Sequence, residues 1–243
     1  MDEEKRVNVT KQEKIVSMFD EIAPTYDKAN RILSMGVDIV WRKKGCSQAF
    51  SYCSNKPLKI VDVACGTGDM MGYWQSVARD TGVSIDEIVG VDPSEGMVGV
   101  GRDKFPDSSF FIAPATQLPR ADESADIISI SYGIRNVMER KEALLEFNRV
   151  LKPGGLVVIL EFMKNENPSA LGKIRDWYMG NVLPRLGGFI SKNYEAYKYL
   201  PDSIDGFLTV ARMQQELVES GFEMLYTKSF SMDISSLMIA RKK

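Results

Sequence analysis

Apolar residues recur along this chain in two patterns, as short continuous runs and at helical spacing. Between residues 58 and 161 the two patterns alternate. Such alternation predicts βαβ units and a parallel, doubly wound sheet. The predicted strands are 58–63, 88–92, 109–113, 126–131 and 156–161, the predicted helices are 70–80, 95–104 and 141–151, and a turn is predicted over 152–155.

The two ends of the chain have a different rhythm. Residues 11–23 place apolar side chains on one helical face up to Pro24, and residues 37–50 predict a second helix. After residue 161, Asn167-Pro168 predicts a helix start, and residues 180–208 are rich in Gly, Pro and aromatic side chains.

A last helix over 210–219 and two strands over 222–229 and 234–241 are predicted to close the chain. We see no linker, repeat or low-complexity tract. The sequence therefore predicts one α/β domain over residues 1–243, with an N-terminal helical cap over 1–50 and a substrate-side insertion over 164–208.

Composition excludes several classes of function. The 243 residues are 44% hydrophobic and 26% charged, as in an ordinary globular protein. The net charge of −2 argues against a nucleic-acid partner, whose phosphates require a basic face. No run approaches the ~20 apolar residues of a membrane span. Three cysteines without C-x-x-C spacing, and no signal-like N-terminus, favour a cytoplasmic location.

The chain contains no histidine. This excludes imidazole as a general base, Ser–His and Cys–His nucleophilic pairs, and His-ligated zinc. No metal is expected, and the chemistry must use carboxylates, Tyr, Arg, Lys or the ligand itself.

The turn after the first predicted strand carries the strongest ligand signal. Asp62 lies near the strand's end, and Gly66 and Gly68 let the following backbone approach a ligand closely. A dinucleotide fingerprint requires a third glycine where this chain has Met71. The loop therefore favours S-adenosylmethionine, and an ordinary strand–turn–helix is the plainer alternative.

Further candidate residues follow the other strands. Asp92 ends the second predicted strand, where a carboxylate accepts hydrogen bonds from both ribose hydroxyls. Its alternative role is to start a turn and cap in Asp92-Pro93-Ser94. Met97 either covers the adenine or packs in the core. Ala115 and Ser131 follow the third and fourth strands and are expected at the same ligand-binding edge.

Longer motifs point to one family. They are Tyr26–Asn30, Val61–Asp69, Gly90–Ser94, Tyr132–Val137, Arg149–Gly155 and Tyr197–Ile204. With these motifs, the chain resembles class I S-adenosylmethionine-dependent methyltransferases. Among these it is most similar to the quinone-biosynthesis C-methyltransferases that act on demethylmenaquinol and on 2-polyprenyl-6-methoxy-benzoquinol.

The resemblance implies a Rossmann-like sheet of seven strands with an antiparallel last strand. It also implies cofactor contacts at Thr67, Asp92, Ala115 and Ser131, a prenylated quinol substrate, and a homo-oligomer. The implied reaction is the methylation of demethylmenaquinol to menaquinol, and the alternative is the methylation of a benzoquinol in ubiquinone biosynthesis. Two further functions stay open, a non-catalytic cofactor-binding scaffold and a small-molecule O- or N-methyltransferase.

Four positions depart from the family pattern. The usual first glycine of the loop is Ala64, which is tolerable with a negative φ. Pro114 stands where an Asn or Asp contacts the adenine, so a side-chain hydrogen bond to the base is lost. Asp38 replaces a histidine, and Met163 replaces a Ser or Thr.

Ring C-methylation requires a phenolate and a group that stabilises it. Arg135 is predicted to stabilise the phenolate and Asn136 to orient its oxygen, whereas Arg135 in a structural ion pair is the alternative. Water, Tyr26 or Asp27 is left as the proton acceptor.

The prenyl tail requires an apolar channel. We expect the N-terminal helix and the aromatic insertion to form it and to contact the inner face of the membrane. The alternative is that both segments simply pack on the core.

Overall fold

The computed structural model describes residues 3–54, 56–166, 172, 177–178, 180–191, 193–231 and 233–243. Within them, no helix has the length and apolarity needed to cross a membrane. The helices are α1 (Glu3–Ile22), α2 (Tyr26–Leu33), α3 (Val37–Phe50), α4 (Asp69–Thr81), α5 (Glu95–Lys104), α6 (Arg140–Val150), α7 (Leu183–Ser191), α8 (Tyr194–Asp205) and α9 (Val210–Glu219), with 3-10 turns at Ala23–Thr25 and Ile134–Asn136.

A seven-stranded sheet forms the centre of the molecule, in the order β3-β2-β1-β4-β5-β7-β6. The first five strands are parallel, and β7 is antiparallel to both β5 and β6. This confirms the predicted α/β sheet with its antiparallel last strand. The strands are β1 (Leu58–Val63), β2 (Ile85–Asp92), β3 (Ser109–Ile112), β4 (Ala125–Ser131), β5 (Leu151–Phe162), β6 (Phe222–Phe230) and β7 (Ser235–Lys242).

Alternate side chains of the parallel strands pack on opposite faces of the sheet. Ile128 and Ile130 of β4 pack with Phe147 of α6, while Ile127 packs with Trp74 of α4 on the other face. Both faces are buried, which explains the continuous apolar runs in the sequence. The strand order reverses between β1 and β4, and a sheet of this kind binds ligands beyond the carboxyl ends of the strands at that point.

The predicted turn over 152–155 is wrong, because β5 begins at Leu151. Leu151 pairs with Ala125 and Leu156 with Ile127, so the intervening residues form a bulge within the strand. Gly154 has a φ of +78°, which permits the bulge. A bulge within a strand and a turn between elements both favour Pro and Gly, so the sequence alone does not distinguish them.

The N-terminal cap contains more helix than the sequence predicts. Helix α1 begins eight residues before the predicted start at residue 11, in a segment with no apolar period. Helix α2 is absent from the sequence prediction. The predicted helix start at Asn167-Pro168 lies outside the described residues, and α7 and α8 occupy much of the aromatic segment 180–208.

Candidate active site

The glycine loop joins β1 to α4 at the point where the strand order reverses. Gly66 and Gly68 have φ values of +55° and +80°, which glycine adopts without strain. The Gly66 N–H donates to Asp92 Oδ2 at 2.8 Å, and the Ser94 N–H donates to Asp92 Oδ1 at 2.9 Å. Asp92 therefore connects the loop to the start of α5, where Ser94 caps the helix through the Met97 N–H.

A cavity of about 470 Å³ lies beside this loop, and we call it the loop cavity. Helix α1 covers it, since Asp20 accepts hydrogen bonds from Ser94 Oγ at 2.6 Å and from the Gly96 N–H at 2.9 Å. The predicted site residues that line the cavity are Gly66, Asp92, Met97, Ala115, Ser131, Asn136 and Tyr26.

The residues of the loop cavity suit S-adenosylmethionine. Each Asp92 oxygen accepts one backbone bond and keeps a lone pair for a ribose hydroxyl. The Ser131 hydroxyl is buried and has no hydrogen-bond partner in the described part of the chain, so it has a bond to offer a ligand. Pro114 lines the cavity without a side-chain donor or acceptor, as its sequence departure implies.

Three predicted cofactor residues are not among those that line the loop cavity. The Thr67 hydroxyl donates to Asp27 Oδ1 at 2.6 Å. Gly68 starts α4, and Asp62 Oδ1 accepts a bond from the Ser129 hydroxyl at 2.6 Å. In the structure these residues therefore support the conformation of the glycine loop and do not line the loop cavity.

Ala64 corrects one expectation directly, because its φ is +49° and not negative. The left-handed conformation costs an L-residue with a Cβ about 1–2 kcal/mol. Its methyl group also restricts the residue at position 133, just after the neighbouring strand β4. A Cβ on Gly133 would lie 2.5 Å from the Cβ of Ala64. The glycine expected by the family pattern has no such conflict.

Ala64→Gly is expected to raise the free energy of unfolding by about 0.5–1 kcal/mol, because relief of strain exceeds the added freedom of the unfolded chain. Gly133→Ala is expected to destabilise the native protein by about 2 kcal/mol through overpacking, and by much less in the Ala64→Gly background. Urea unfolding of the two single variants and the double variant measures this cycle. Equal costs of Gly133→Ala in both backgrounds would contradict the steric explanation.

Two buried carboxyl groups of the site have raised pKa values. Burial raises the pKa of Asp62 to about 7, although the Ser129 hydroxyl and the Arg42 guanidinium oppose the shift. Burial also raises the pKa of Asp92 to about 6, against the N–H donors of Ser94 and Gly66. Each group therefore keeps its proton to higher pH in the folded protein than in the unfolded chain.

This shift predicts an unusual pH dependence for the ligand-free protein. Stability from the two carboxyl groups is complete below an unfolded pKa near 4 and is lost as the pH rises to about 7. Since no histidine titrates in this range, the free energy of unfolding should fall by about 4 kcal/mol from pH 5 to pH 7.5. Urea unfolding measures it, with Asp62→Asn reducing the fall. Stability that increases over this range would contradict the assignment.

A second cavity, of about 560 Å³, adjoins the first, and we call it the aromatic cavity. Phe19, Tyr26 and Tyr132 line both cavities and so stand at their junction. Tyr132 has a φ of +60°, a strained conformation for a bulky residue that directs the chain sharply after β4. In the described part of the chain, the other aromatic residues that line this cavity are Trp41, Phe162, Tyr178, Tyr197 and Tyr199.

Arg135 lines the aromatic cavity and forms a buried ion pair. Its Nη1 donates to Glu161 Oε1 at 2.5 Å and to the Tyr132 carbonyl at 2.9 Å, and its Nε donates to Ser203 Oγ at 3.2 Å. Glu161 has no exposed surface. The structural ion pair, which is the alternative role of Arg135 in the sequence prediction, is therefore present. Arg135 also lines the aromatic cavity.

Asn136 and Tyr26 are the two other predicted catalytic residues, and both lie where the two cavities meet. Asn136 lines the loop cavity, and its Oδ1 accepts a hydrogen bond from the Tyr199 hydroxyl at 3.0 Å. Burial raises the pKa of Tyr26, which favours its neutral form. Asp27 is engaged by Thr67 and by Lys104, the latter at 2.7 Å, and does not line either cavity.

Sequence reasoning missed several polar residues in and behind the wall of the aromatic cavity. Glu161 lies near the end of β5, and Tyr199 lies in the motif Tyr197–Ile204, from which no individual residue was predicted to belong to the site. Arg42 stands beside Lys43 and Lys44 in what reads as a basic surface cluster, but it is buried. Helical phase was the available signal, since Asp38, Trp41 and Arg42 lie on one face of α3.

Comparison with known proteins assigns the chain to a family. The model of the ubiE/COQ5 methyltransferase family matches residues 7–242. A Campylobacter jejuni protein (serotype O:6, strain 81116) named "Ubiquinone/menaquinone biosynthesis C-methyltransferase UbiE" is 55% identical over 232 residues, covering 96% of this chain and 99% of that protein. A Chlorobaculum parvum "Demethylmenaquinone methyltransferase" is 37% identical, covering 94% of this chain and 92% of that protein.

Solved structures agree on the fold. A possible histamine N-methyltransferase from Thermotoga maritima has a TM-score of 0.60 at 19% identity and covers 94% of this chain and 100% of that one. A putative methyltransferase solved with the Haloferax volcanii Trm112 activator has a TM-score of 0.64 at 18% identity, with coverages of 92% and 96%. Together with the nearly full-length family match, these comparisons show that the chain belongs to the ubiE/COQ5 methyltransferase family.

Proposed function

We propose that this methyltransferase methylates a ring carbon of a prenylated quinol, with demethylmenaquinol as its substrate. The observation that carries the proposal is the aromatic cavity, which adjoins the loop cavity and has Arg135 in its wall. The name of the Chlorobaculum parvum relative, "Demethylmenaquinone methyltransferase", supports the naphthoquinol ring, whereas the name of the Campylobacter jejuni relative covers both rings.

The residues of the junction suit an in-line methyl transfer. S-adenosylmethionine in the loop cavity supplies an electrophilic methyl group. The ring carbon forms the new carbon–carbon bond, the sulfur–methyl bond breaks, and its electron pair stays on sulfur. Phe19, Tyr26 and Tyr132 line both cavities, and their rings would limit the access of water to the reacting atoms at the junction.

Arg135 would stabilise the phenolate that makes the ring carbon nucleophilic, and Asn136 would orient the reacting oxygen. Tyr26 is a poor base because burial favours its protonated form. Asp27 is occupied by Lys104 and Thr67. We therefore assign the proton transfers to water in the aromatic cavity. Water accepts the phenol proton before methyl transfer and the displaced ring proton afterwards, and it returns one proton to the ring oxygen, so that one proton is released per turnover.

Mass spectrometry tests the function. The purified protein is incubated with S-adenosylmethionine and a short-chain demethylmenaquinol kept reduced by dithionite. We expect a product heavier by one methylene and no product from the oxidised quinone. A demethylated benzoquinol in the same assay ranks the two rings. No product from either quinol, with cofactor binding intact, would contradict the proposal and favour a scaffold role.

The exposed connection between α2 and α3 would deliver the prenyl tail to the cavity. Met35 is 83% exposed and lines the aromatic cavity together with Val37. Ile32 and Val40 are also exposed. This apolar mouth, with exposed Lys43 and Lys44 beside it, supports a contact with the inner face of the membrane, although the sequence predicts that contact on the N-terminal helix and the aromatic insertion.

Binding to vesicles containing anionic lipid is expected to fall at least fivefold in Met35→Asp, because a charge replaces an apolar membrane contact. Vesicle flotation measures it. Leu145→Asp is the matched control, since Leu145 is also an exposed apolar residue but lies on α6, across the sheet from α3. Equal binding of the two variants would place the membrane contact elsewhere. The homo-oligomer stays a prediction, which light scattering would check.

A further inference from the structure

Arg42 places a second positive charge in the wall of the aromatic cavity. It lies in the middle of α3 and is 9% exposed. Its Cζ lies 5.0 Å from the centroid of the Tyr132 ring, a distance suited to cation–π attraction. A buried guanidinium in a mainly aromatic cavity requires partners for its N–H groups.

The described residues provide few such partners. Among them, the buried Arg42 Nε has no hydrogen-bond partner. The carboxylate oxygen Asp38 Oδ2 is 3.6 Å away, beyond the range of an N–H···O bond. Asp38 instead accepts bonds from Arg31 at 2.5 Å and from the Ser34 hydroxyl at 2.6 Å. Arg42 thus has a charge and a donor available for a ligand with acceptor oxygens.

The two cavity arginines flank one pair of aromatic rings. The centroids of Tyr132 and Phe162 are 4.5 Å apart. Arg42 stands over Tyr132, and the Cζ of Arg135 lies 5.5 Å from the centroid of Phe162. Each ring of the pair therefore has its own guanidinium, and a flat ring packed in this cavity meets a cation beside each aromatic side chain.

We propose that Arg42 binds one oxygen of a planar aromatic 1,4-diol while Arg135 binds the other. The identity of the diol as demethylmenaquinol rests on the proposed function, but the pairing of two cations with two ring oxygens does not. In a cavity of low dielectric, two cations stabilise the phenolate more than one and increase its fraction at neutral pH. Arg42 is then a catalytic residue, because it contacts the reacting ring.

Ring-analogue binding tests the pairing without relying on turnover. The probes are 1,4-dihydroxynaphthalene and 1-naphthol, which lacks the second oxygen, and the signal is the fluorescence of Trp41 in the same cavity. Under anaerobic conditions we expect the native protein to bind the diol at least tenfold more tightly than 1-naphthol. We expect Arg42→Met to lose this preference. An undiminished preference in Arg42→Met would overturn the proposal.

Kinetics separate a catalytic from a structural role. In Arg42→Met, kcat/KM for the short-chain demethylmenaquinol should fall about 100-fold at pH 7. The loss should shrink as the pH approaches the quinol's own pKa, and Arg42→Lys should recover part of the activity. Lys141→Met, at an exposed position on α6, is the control. A loss that is equal at every pH, or that accompanies lost cofactor binding, would show that Arg42 only packs α3 against Tyr132.

The two proposals fail in distinguishable ways. If the native protein binds S-adenosylmethionine but methylates no quinol, the proposed function is wrong, and the diol preference still decides the role of Arg42. If the native protein methylates the quinol and Arg42→Met does so with an unchanged pH profile, only the role of Arg42 is wrong.

Discussion

Arg135→Met is expected to lower kcat for quinol methylation by 10²–10³-fold at neutral pH. The guanidinium would stabilise negative charge that develops on the ring oxygen, and removal of one preorganised donor of this kind has an effect of about that size. Neither Ser203 nor Tyr132, its present partners, can replace the positive charge. Mass spectrometry of samples quenched at successive times gives kcat. Calorimetry gives the Kd of S-adenosylmethionine, which should stay unchanged.

Loss of stability must be separated from loss of catalysis in this variant. Glu161 is fully buried, and without Arg135 its charge keeps, among the described residues, only backbone donors such as the Phe162 N–H at 2.8 Å. Breaking a buried pair on one side costs about 3–5 kcal/mol. The double variant Arg135→Met/Glu161→Gln removes the unpaired charge, so most of the stability should return.

The double variant also decides the role of Arg135. If Arg135 contacts the substrate, kcat stays low in the double variant although the protein is as stable as the native one. If its role is only to neutralise Glu161, kcat returns with the stability. The second result would sink the phenolate role of Arg135.

The sequence predicted those site residues whose positions depend on their own strand. Asp92 is the last residue of β2 and Gly66 lies shortly after β1, and the carboxyl ends of parallel strands meet at one edge of the sheet. A residue just after such a strand is therefore close to the ligand edge whatever the rest of the fold does. The same local logic applies to Ala115 and Ser131, which line the loop cavity, and their contact with the cofactor stays a prediction.

Residues whose role depends on a distant partner were not predictable in this way. Glu161 pairs with Arg135 because β5 lies beside β4. The register between these two strands cannot be read from the sequence of either strand alone. Ala64 adopts a positive φ in a loop whose next residues are held by Asp92 of another strand, although alanine disfavours that conformation. Arg42 reads as part of a surface cluster, and only the tertiary packing of α3 buries it.

Asp92→Asn is expected to weaken S-adenosylmethionine binding about 100-fold, since hydrogen bonds to a charged acceptor contribute about 1.5–3 kcal/mol. The amide nitrogen cannot accept the bond from Gly66 or Ser94, and one ribose hydroxyl loses an acceptor as well. Titration calorimetry measures the Kd. Asp86→Asn on the same strand is the control, because its ion pair with Lys59 is exposed and 3.6 Å long.

The pH dependence and a modified ligand show whether Asp92 acts on the ribose. Since burial raises its pKa to about 6, the native Kd should rise about tenfold per pH unit below pH 6 as the carboxylate is protonated, and this dependence should vanish in Asp92→Asn. A 2′-deoxy analogue of S-adenosylhomocysteine should bind the native protein more weakly than the parent compound, yet bind the variant almost equally well. If the analogue loses the same affinity in both proteins, Asp92 does not hold the 2′-hydroxyl, and its effect on binding passes through the loop conformation that it fixes at Gly66.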